Sequence, residues 1–236
     1  GGKPRVIVLN KADLADEATT RAWMKYFATQ GITAVPVDAV KGRGVKELVQ
    51  AIAKYAKPKT DKLVQHGAKA RAARCMILGI PNVGKSSLIN RLSGESKTKV
   101  ENRPGVTRAK QWIRINAQLE LLDMPGILWP KFEDQQAALH LAFTGAINDN
   151  VYDVASVVLL LLDTLRVKYP SDLTERYCLD GNLPRGVELL EEIGRKRGCL
   201  RAGGKIDYEK AEQIVLTDFR SGRLGYVTLD ELPTIP

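Results

Sequence analysis

Apolar and polar positions divide this chain into two regimes. In the first, short apolar runs alternate with stretches of helical period. Val6-Ile7-Val8-Leu9 is a short, largely β-branched run that fits a buried parallel strand over residues 5–9. Residues 16–30 then place Trp23 and Phe27 on one face of a helix that Gly31 stops. The pattern predicts a second strand over residues 33–37 and a second helix over 45–55. A third strand over 75–78 leads into a helix over 85–92, followed by a loop over 96–108 and paired strands over 111–116 and 119–122. Such alternation predicts an α/β fold, a doubly wound and mostly parallel sheet covered on both faces.

Beyond about residue 150 the alternation stops. Helical periodicity covers residues 151–169, 171–178, 186–195 and 208–220, which predicts a smaller C-terminal α-helical domain. The expected division is 1–148 and 149–236. The densest apolar run, residues 154–162, is about half the length of a membrane span and reads as a buried helix. Within the first domain, residues 57–74 break the pattern. Lys54, Lys57, Lys59, Lys62, Lys69, Arg71 and Arg74 face one acid, Asp61, and Pro58 and Gly67 interrupt the stretch, so it reads as a basic connector.

Length and charge sharpen this outline. A chain of 236 residues holds one large domain or a medium and a small one, and its apolar fraction of 44% is that of a globular protein. The formal charge of +9 favours a polyanionic partner, nucleic acid above all. Cys75, Cys178 and Cys199 have neither metal-ligand spacing nor a disulfide framework; they are expected as buried thiols in a reducing cytoplasm. The opening Gly1-Gly2-Lys3 runs almost at once into apolar sequence, which suggests a further segment upstream.

Candidate chemistry lies where strands end. Gly79-Ile80-Pro81-Asn82-Val83-Gly84-Lys85-Ser86 matches the G-x-x-x-x-G-K-[ST] phosphate loop and sits between a predicted strand and helix, as that motif requires. Backbone N–H groups from Asn82, Val83 and Gly84 through Ser87 can cradle phosphates, helped by the helix N-terminus. Lys85 is positioned for the β- and γ-phosphates and the Ser86 hydroxyl for Mg²⁺.

The base is indicated by Asn10-Lys11-Ala12-Asp13, which follows the first strand. An Asp13 carboxylate accepts from guanine N1–H and the 2-amino group together; adenine offers no such donor pair, and the mismatch costs about 1–3 kcal/mol. Lys11 would lie over the base and Asn10 would brace the loops. Alone, the tetrapeptide is also compatible with a helix cap; with the phosphate loop it points to GTP and GDP. Asp38-Ala39, after the second strand, can set a backbone N–H on the guanine oxygen, although serine is usual before that alanine.

Asp123-Met124-Pro125-Gly126 has the D-x-x-G pattern, with Asp123 as a magnesium ligand through water and the Gly126 N–H as a γ-phosphate sensor. Thr107, in Arg103-Pro104-Gly105-Val106-Thr107, is the candidate second Mg²⁺ ligand of a GTP-ordered switch, or else an ordinary turn threonine. Ile127 stands where a glutamine often orients the attacking water, so intrinsic hydrolysis should be slow. Asn82 can help hold K⁺ near the phosphates in place of an arginine finger.

The motif order is reversed relative to most guanine-nucleotide proteins. N-K-A-D comes first, then the phosphate loop, R-P-G-V-T and D-M-P-G. In this the chain resembles the circularly permuted ribosome-assembly GTPases. Residues 126–134, G-I-L-W-P-K-F-E-D, and 196–200, K-R-G-C-L, are similar to the ribosome biogenesis GTPase A family of bacteria. The resemblance covers nearly the whole chain. It implies assembly of the large ribosomal subunit, GTP hydrolysis stimulated by that particle, and potassium dependence. It also implies an N-terminal strand and a histidine involved in hydrolysis, which neither His66 nor His140 matches.

Together these readings predict a GTP-hydrolysing assembly factor whose nucleotide state controls binding to the large-subunit precursor and its rRNA, monomeric away from the ribosome. The basic connector and Arg195, Lys196, Arg197, Arg201 and Lys205 are candidate rRNA contacts, against a solvated basic face. The alternatives are a GTP-gated RNA-binding module with little hydrolysis and, last, a small-molecule kinase, which leaves N-K-A-D without a role.

Overall fold

The computed structural model describes residues 3–65, 72–94, 111–116, 119–124 and 134–233, with the backbone alone at 57–65, 111, 116 and 123. The chain divides into two compact units, residues 1–129 with 230–236, and residues 130–229. The division falls earlier than the one expected after residue 148, because a helix absent from the sequence reading, Gln135–Phe143, packs with the helices that follow it.

In the first unit, β1 (Val6–Asn10) pairs in parallel with β2 (Thr33–Val37), Asn10 opposite Val37. Between them runs α1 (Glu17–Thr29), whose first turn is capped by the Asp16 carboxylate accepting from Thr19 N–H at 2.7 Å. Its Trp23, Tyr26 and Phe27 rings pack on one another. Helix α2 (Val45–Gln65) follows. Val35, Val37, Leu48 and Leu88 form a buried cluster, against which Val6, Val8, Val45 and Ile52 pack.

The length of α2 corrects the expected helix end near residue 55, since half of the supposed connector is helical. Pro58, in the interior of the helix, removes one N–H donor and costs about 3 kcal/mol, yet the helix runs through it, and the lysines that looked like a linker are good helix formers.

The described strands fall into two sheets. Among the described residues β3 (Ala73–Ile77), β4 (Gln111–Asn116) and β5 (Leu119–Asp123) form a second sheet of order β3-β5-β4, apart from β1-β2. Strand β5 runs parallel to β3 and antiparallel to β4. Cys75, Ile77, Ile113 and Leu121 turn toward Ile89 of α3 (Lys85–Ser93). Four candidate motifs therefore begin at the carboxyl ends of parallel strands: N-K-A-D at β1, Asp38-Ala39 at β2, the phosphate loop after β3, and Asp123 at β5. Ligands of open α/β sheets bind at that edge.

The second unit contains α4 (Gln135–Phe143), α5 (Val154–Lys168), α6 (Pro170–Tyr177), α7 (Gly186–Lys196) and α8 (Tyr208–Arg220). The apolar run becomes the buried face of α5: Val157, Val158, Leu161, Leu162 and Leu165, at helical spacing. They meet Phe143, Leu173, Tyr177, Leu189, Ile193 and Leu216, each burial stabilising by about 1.5–3 kcal/mol. No helix among the described residues is long and apolar enough to cross a membrane.

Two arginine–aspartate clusters tie this unit together. Arg220 donates to both Asp149 oxygens at 2.7 and 2.9 Å and to the carbonyls of Ala142 and Phe143, closing the end of α4 onto α8. The Arg220 guanidinium, outweighing burial, holds the Asp149 carboxyl below its ordinary range; burial and that carboxylate push the neighbouring Tyr152 hydroxyl up to about 12. Asp218, 1% exposed, receives a bidentate pair of 2.9 Å bonds from Arg176 and a third from Arg223 at 3.2 Å. Burial alone would raise its carboxyl, but these donors bring it below the usual range. The cysteine expectation is corrected at one position. Cys199 is buried and Cys75 half-buried, but Cys178 is exposed, as the left-handed residue that ends α6.

Candidate nucleotide site

Helix α3 begins at Gly84, which has φ of 94° and offers no side-chain cap, so the N–H groups of the first turn face the loop before it. Gly84 is required twice over: its φ is left-handed, and a Cβ there would lie 2.2 Å from Asn10 Nδ2. Asn82 also takes a positive φ of 55°, which curls the loop, and Val83 and Ser87 flank the turn. Lys85 Nζ donates to the Gly79 and Ile80 carbonyls at 2.9 and 2.6 Å, folded over the loop where phosphate oxygens would compete for it.

Residues far apart in sequence meet here. Asn10 Nδ2 donates to the Val83 carbonyl at 2.8 Å, and Asn10 Oδ1 accepts from Ala39 N–H at 3.3 Å. One side chain thus joins the N-K-A-D loop, the phosphate loop and the loop after β2. Lys11 sits at φ of 57°, and the next N–H, of Ala12, donates to the Val37 carbonyl at 3.1 Å, anchoring the tetrapeptide on β2. Asp13 is half-buried just beyond, before the α1 cap; the cap itself is Asp16, so Asp13 is not needed for that task.

Asp38 explains how the loop tolerates the absence of serine. Its carboxylate, 3% exposed, accepts from Val40 and Lys41 N–H at 3.0 and 2.9 Å and pairs with Arg43 at 3.3 Å. Burial pushes this carboxyl up, but the Lys41 and Val40 N–H groups and the Arg43 guanidinium outweigh it and hold the group below its usual range. The carboxylate builds the turn that presents the Ala39 backbone. Arg43 and Arg91, which donates from α3 to the Ala39 carbonyl at 3.3 Å, were missed in the sequence; each carried only the signal of an isolated surface cation near a motif.

Of the proposed magnesium ligands, Ser86 lies in the first turn of α3, and the register pairs Asp123 with Ile77, two residues before Gly79. Hydroxyl and carboxylate oxygens, the types that serine and aspartate carry, are the hard donors that Mg²⁺ takes. Thr107, Gly126 and Ile127 lie outside the described residues, as do His66 and the loop over 96–108.

Two arginines of the proposed basic cluster of the helical unit are ion-paired. Arg195 pairs with Glu191 at 2.9 Å and Arg201 with Asp207 at 3.0 Å. Arg197 stacks over the Tyr177 ring at 5.2 Å and donates to the Arg176 carbonyl, so it is part of the packing rather than a free surface cation. Lys and Arg outnumber Asp and Glu by 23 to 10 in residues 1–129, whereas residues 130–229 hold 13 against 15.

Comparisons with known proteins give the family. The family model described as "50S ribosome-binding GTPase" matches residues 74–184. A ribosome biogenesis GTPase A of Bacillus cereus is 48% identical over 97% of this chain and 77% of its own. This chain belongs to the ribosome biogenesis GTPase A family. A second relative of that name, from Thermotoga maritima, is 28% identical over 97% of the chain and 76% of its own. The GDP-bound structure of YlqF superposes with a TM-score of 0.64 at 28% identity, covering 95% of this chain and 82% of that one. GNP-bound YlqF from T. maritima gives 0.63 at 26%, covering 95% and 80%. As a member of this family the chain is a GTPase of ribosome biogenesis, with a P-loop α/β domain that binds guanine nucleotide.

Proposed function

We propose that this GTPase is an assembly switch for the large ribosomal subunit, with GTP and GDP setting its affinity for the precursor particle and its rRNA. The observation that carries the reading is the Asn10 side chain, 2.8 Å from the phosphate loop and 3.3 Å from the Ala39 N–H. It makes one site of motifs whose order along the chain is reversed. In that site Asp13 reads N1–H and the 2-amino group of guanine, the Ala39 N–H faces its oxygen, and Lys11 covers the base. Lys85 leaves the loop carbonyls for the β- and γ-phosphates, a charge-assisted exchange that strengthens both partners.

Ser86, Thr107 and Asp123 would hold Mg²⁺, which neutralises charge developing on the transferred phosphoryl group. Asn82 assists K⁺, and the Thr107 and Gly126 contacts with the γ-phosphate bias the segment that leads into the helical unit. With Ile127 apolar, the water is left to be oriented from outside this motif, which supports slow turnover alone and stimulation on the particle. The excess of cations in residues 1–129 supports rRNA phosphate contacts along α2 and the connector in preference to the helical cluster.

The test is GTP turnover with and without large-subunit particles, in potassium and in sodium. Turnover should rise with large and not small subunits, and more in potassium; equal rates with and without large subunits would overturn the proposal. Tighter association with a non-hydrolysable GTP analogue than with GDP is the accompanying expectation.

A further inference from the structure

Arg91 lies on the last turn of α3, six residues after Lys85, a rise of about 9 Å along the helix. That is a span suited to the distance between the phosphate and base ends of a nucleotide. Its Nε donates to the Ala39 carbonyl at 3.3 Å. The stem of the same side chain passes over Gly42, where a Cβ would come within 3.4 Å of Arg91 Cδ. On the other side of the Ala39–Val40 peptide, the Val40 N–H donates to Asp38 at 3.0 Å. That peptide is held at both ends, by a cation from α3 and by the carboxylate of its own turn. The N–H of the same alanine meets Asn10 Oδ1.

We propose that Arg91 is a positioning residue for base recognition, fixing the Ala39 backbone so that its N–H, which makes a long 3.3 Å contact with Asn10 Oδ1 here, passes to the six-position oxygen of guanine. The inference rests on the guanine-nucleotide reading of the site. Helix α3 then acts as a ruler, its first turn on the phosphates and its last turn on the loop that meets the base. The contact is specific to the six-position oxygen, because Asp13 reads the N1–H and 2-amino group beside it. Arg91 is exposed but the Ala39 whose carbonyl it serves is buried, so Arg91→Lys, which keeps a donor, controls for a stranded carbonyl.

The experiment compares wild type, Arg91→Met and Arg91→Lys for affinity toward GDP, IDP and 2-aminopurine riboside 5′-diphosphate, with ADP as reference. IDP keeps the six-position oxygen and lacks the amino group; the 2-aminopurine nucleotide lacks both the oxygen and the N1 proton, so each variant is compared with wild type on the same nucleotide. Loss of one hydrogen bond that positions the loop should weaken GDP and IDP alike by about three- to tenfold in Arg91→Met, leaving the 2-aminopurine nucleotide unchanged. Arg91→Lys should recover part of the loss. Equal loss on all three nucleotides, or none on GDP, overturns the role of Arg91. A wild-type chain that binds ADP as well as GDP would instead overturn the guanine reading itself.

Discussion

Replacing Asn10 by Asp isolates the link between the two halves of the nucleotide site. The substitution is nearly isosteric and keeps an oxygen facing the Ala39 N–H. It replaces the Nδ2 donor, 2.8 Å from the Val83 carbonyl, by a second acceptor. A net hydrogen bond of about 1 kcal/mol is lost, and two half-buried oxygens are left facing each other, so the total cost is about 1–3 kcal/mol. If the cost falls on the site's assembled form, GDP affinity drops about 5- to 150-fold. Titration with a fluorescent GDP analogue measures it, alongside thermal unfolding. IDP should lose the same factor, because Asn10 braces loops and reads no edge of the base. An Asn10→Asp chain binding GDP within twofold of wild type would show that Asn10 does not join the loops of the nucleotide site. So would a loss confined to GDP.

Gly84→Ala should weaken GDP by at least about tenfold, since the residue needs both a left-handed φ and the space beside Asn10; titration at wild-type affinity would contradict this. Asp218→Asn strands Arg176 and should lower unfolding stability in urea by about 3–5 kcal/mol, and a change below about 1 would count against the cluster's weight. Because the Asp149 and Asp218 carboxyls lie below their ordinary values in the fold, the stability they contribute is present in full above the unfolded value and declines as pH falls below about 4. Unfolding followed by helical circular dichroism should show that acid limb, shallower in Asp218→Asn; an equal limb in both would exclude Asp218 as its source. Changing Lys54, Lys57, Lys59 and Lys62 to Gln should reduce the salt slope of rRNA binding by about 0.7–0.9 for each phosphate left without its lysine. The same change at Lys196 and Lys205 should move it less for each lysine replaced, and the opposite ranking would place the rRNA on the helical unit.

Local chemistry made the motifs legible before any coordinates. A strand run into G-I-P-N-V-G-K-S can hardly be anything but a phosphate loop, and the apolar spacing of α5 marked its buried face. What the sequence hid was set by tertiary contact or by composition that misleads. The lysines of α2 read as linker because charge was weighed above helix propensity. Helix α4 was passed over because its apolar residues gain a face only against α5 and α8. Asp38 looked like a departure from a serine pattern until its carboxylate was seen accepting from two N–H groups of its own turn. Arg197 and Arg201 looked like surface charge, yet their partners, the Tyr177 ring and the Asp207 carboxylate, lie 20 and 6 positions away in sequence. Asn10 shows the same limit in the nucleotide site: its type was legible, and the Val83 carbonyl it reaches, 73 positions on, was not.

If the tetrapeptide ahead of the phosphate loop selects guanine, Asp13→Asn should change which base is bound. An asparagine presents one acceptor and one donor, which match N1–H and the two-position carbonyl of xanthine and mismatch the paired donors of guanine. The account predicts that GDP affinity falls by about tenfold to a hundredfold or more while XDP affinity rises above it, and that XTP replaces GTP as the nucleotide turned over. A variant that keeps its preference for GDP over XDP would contradict it.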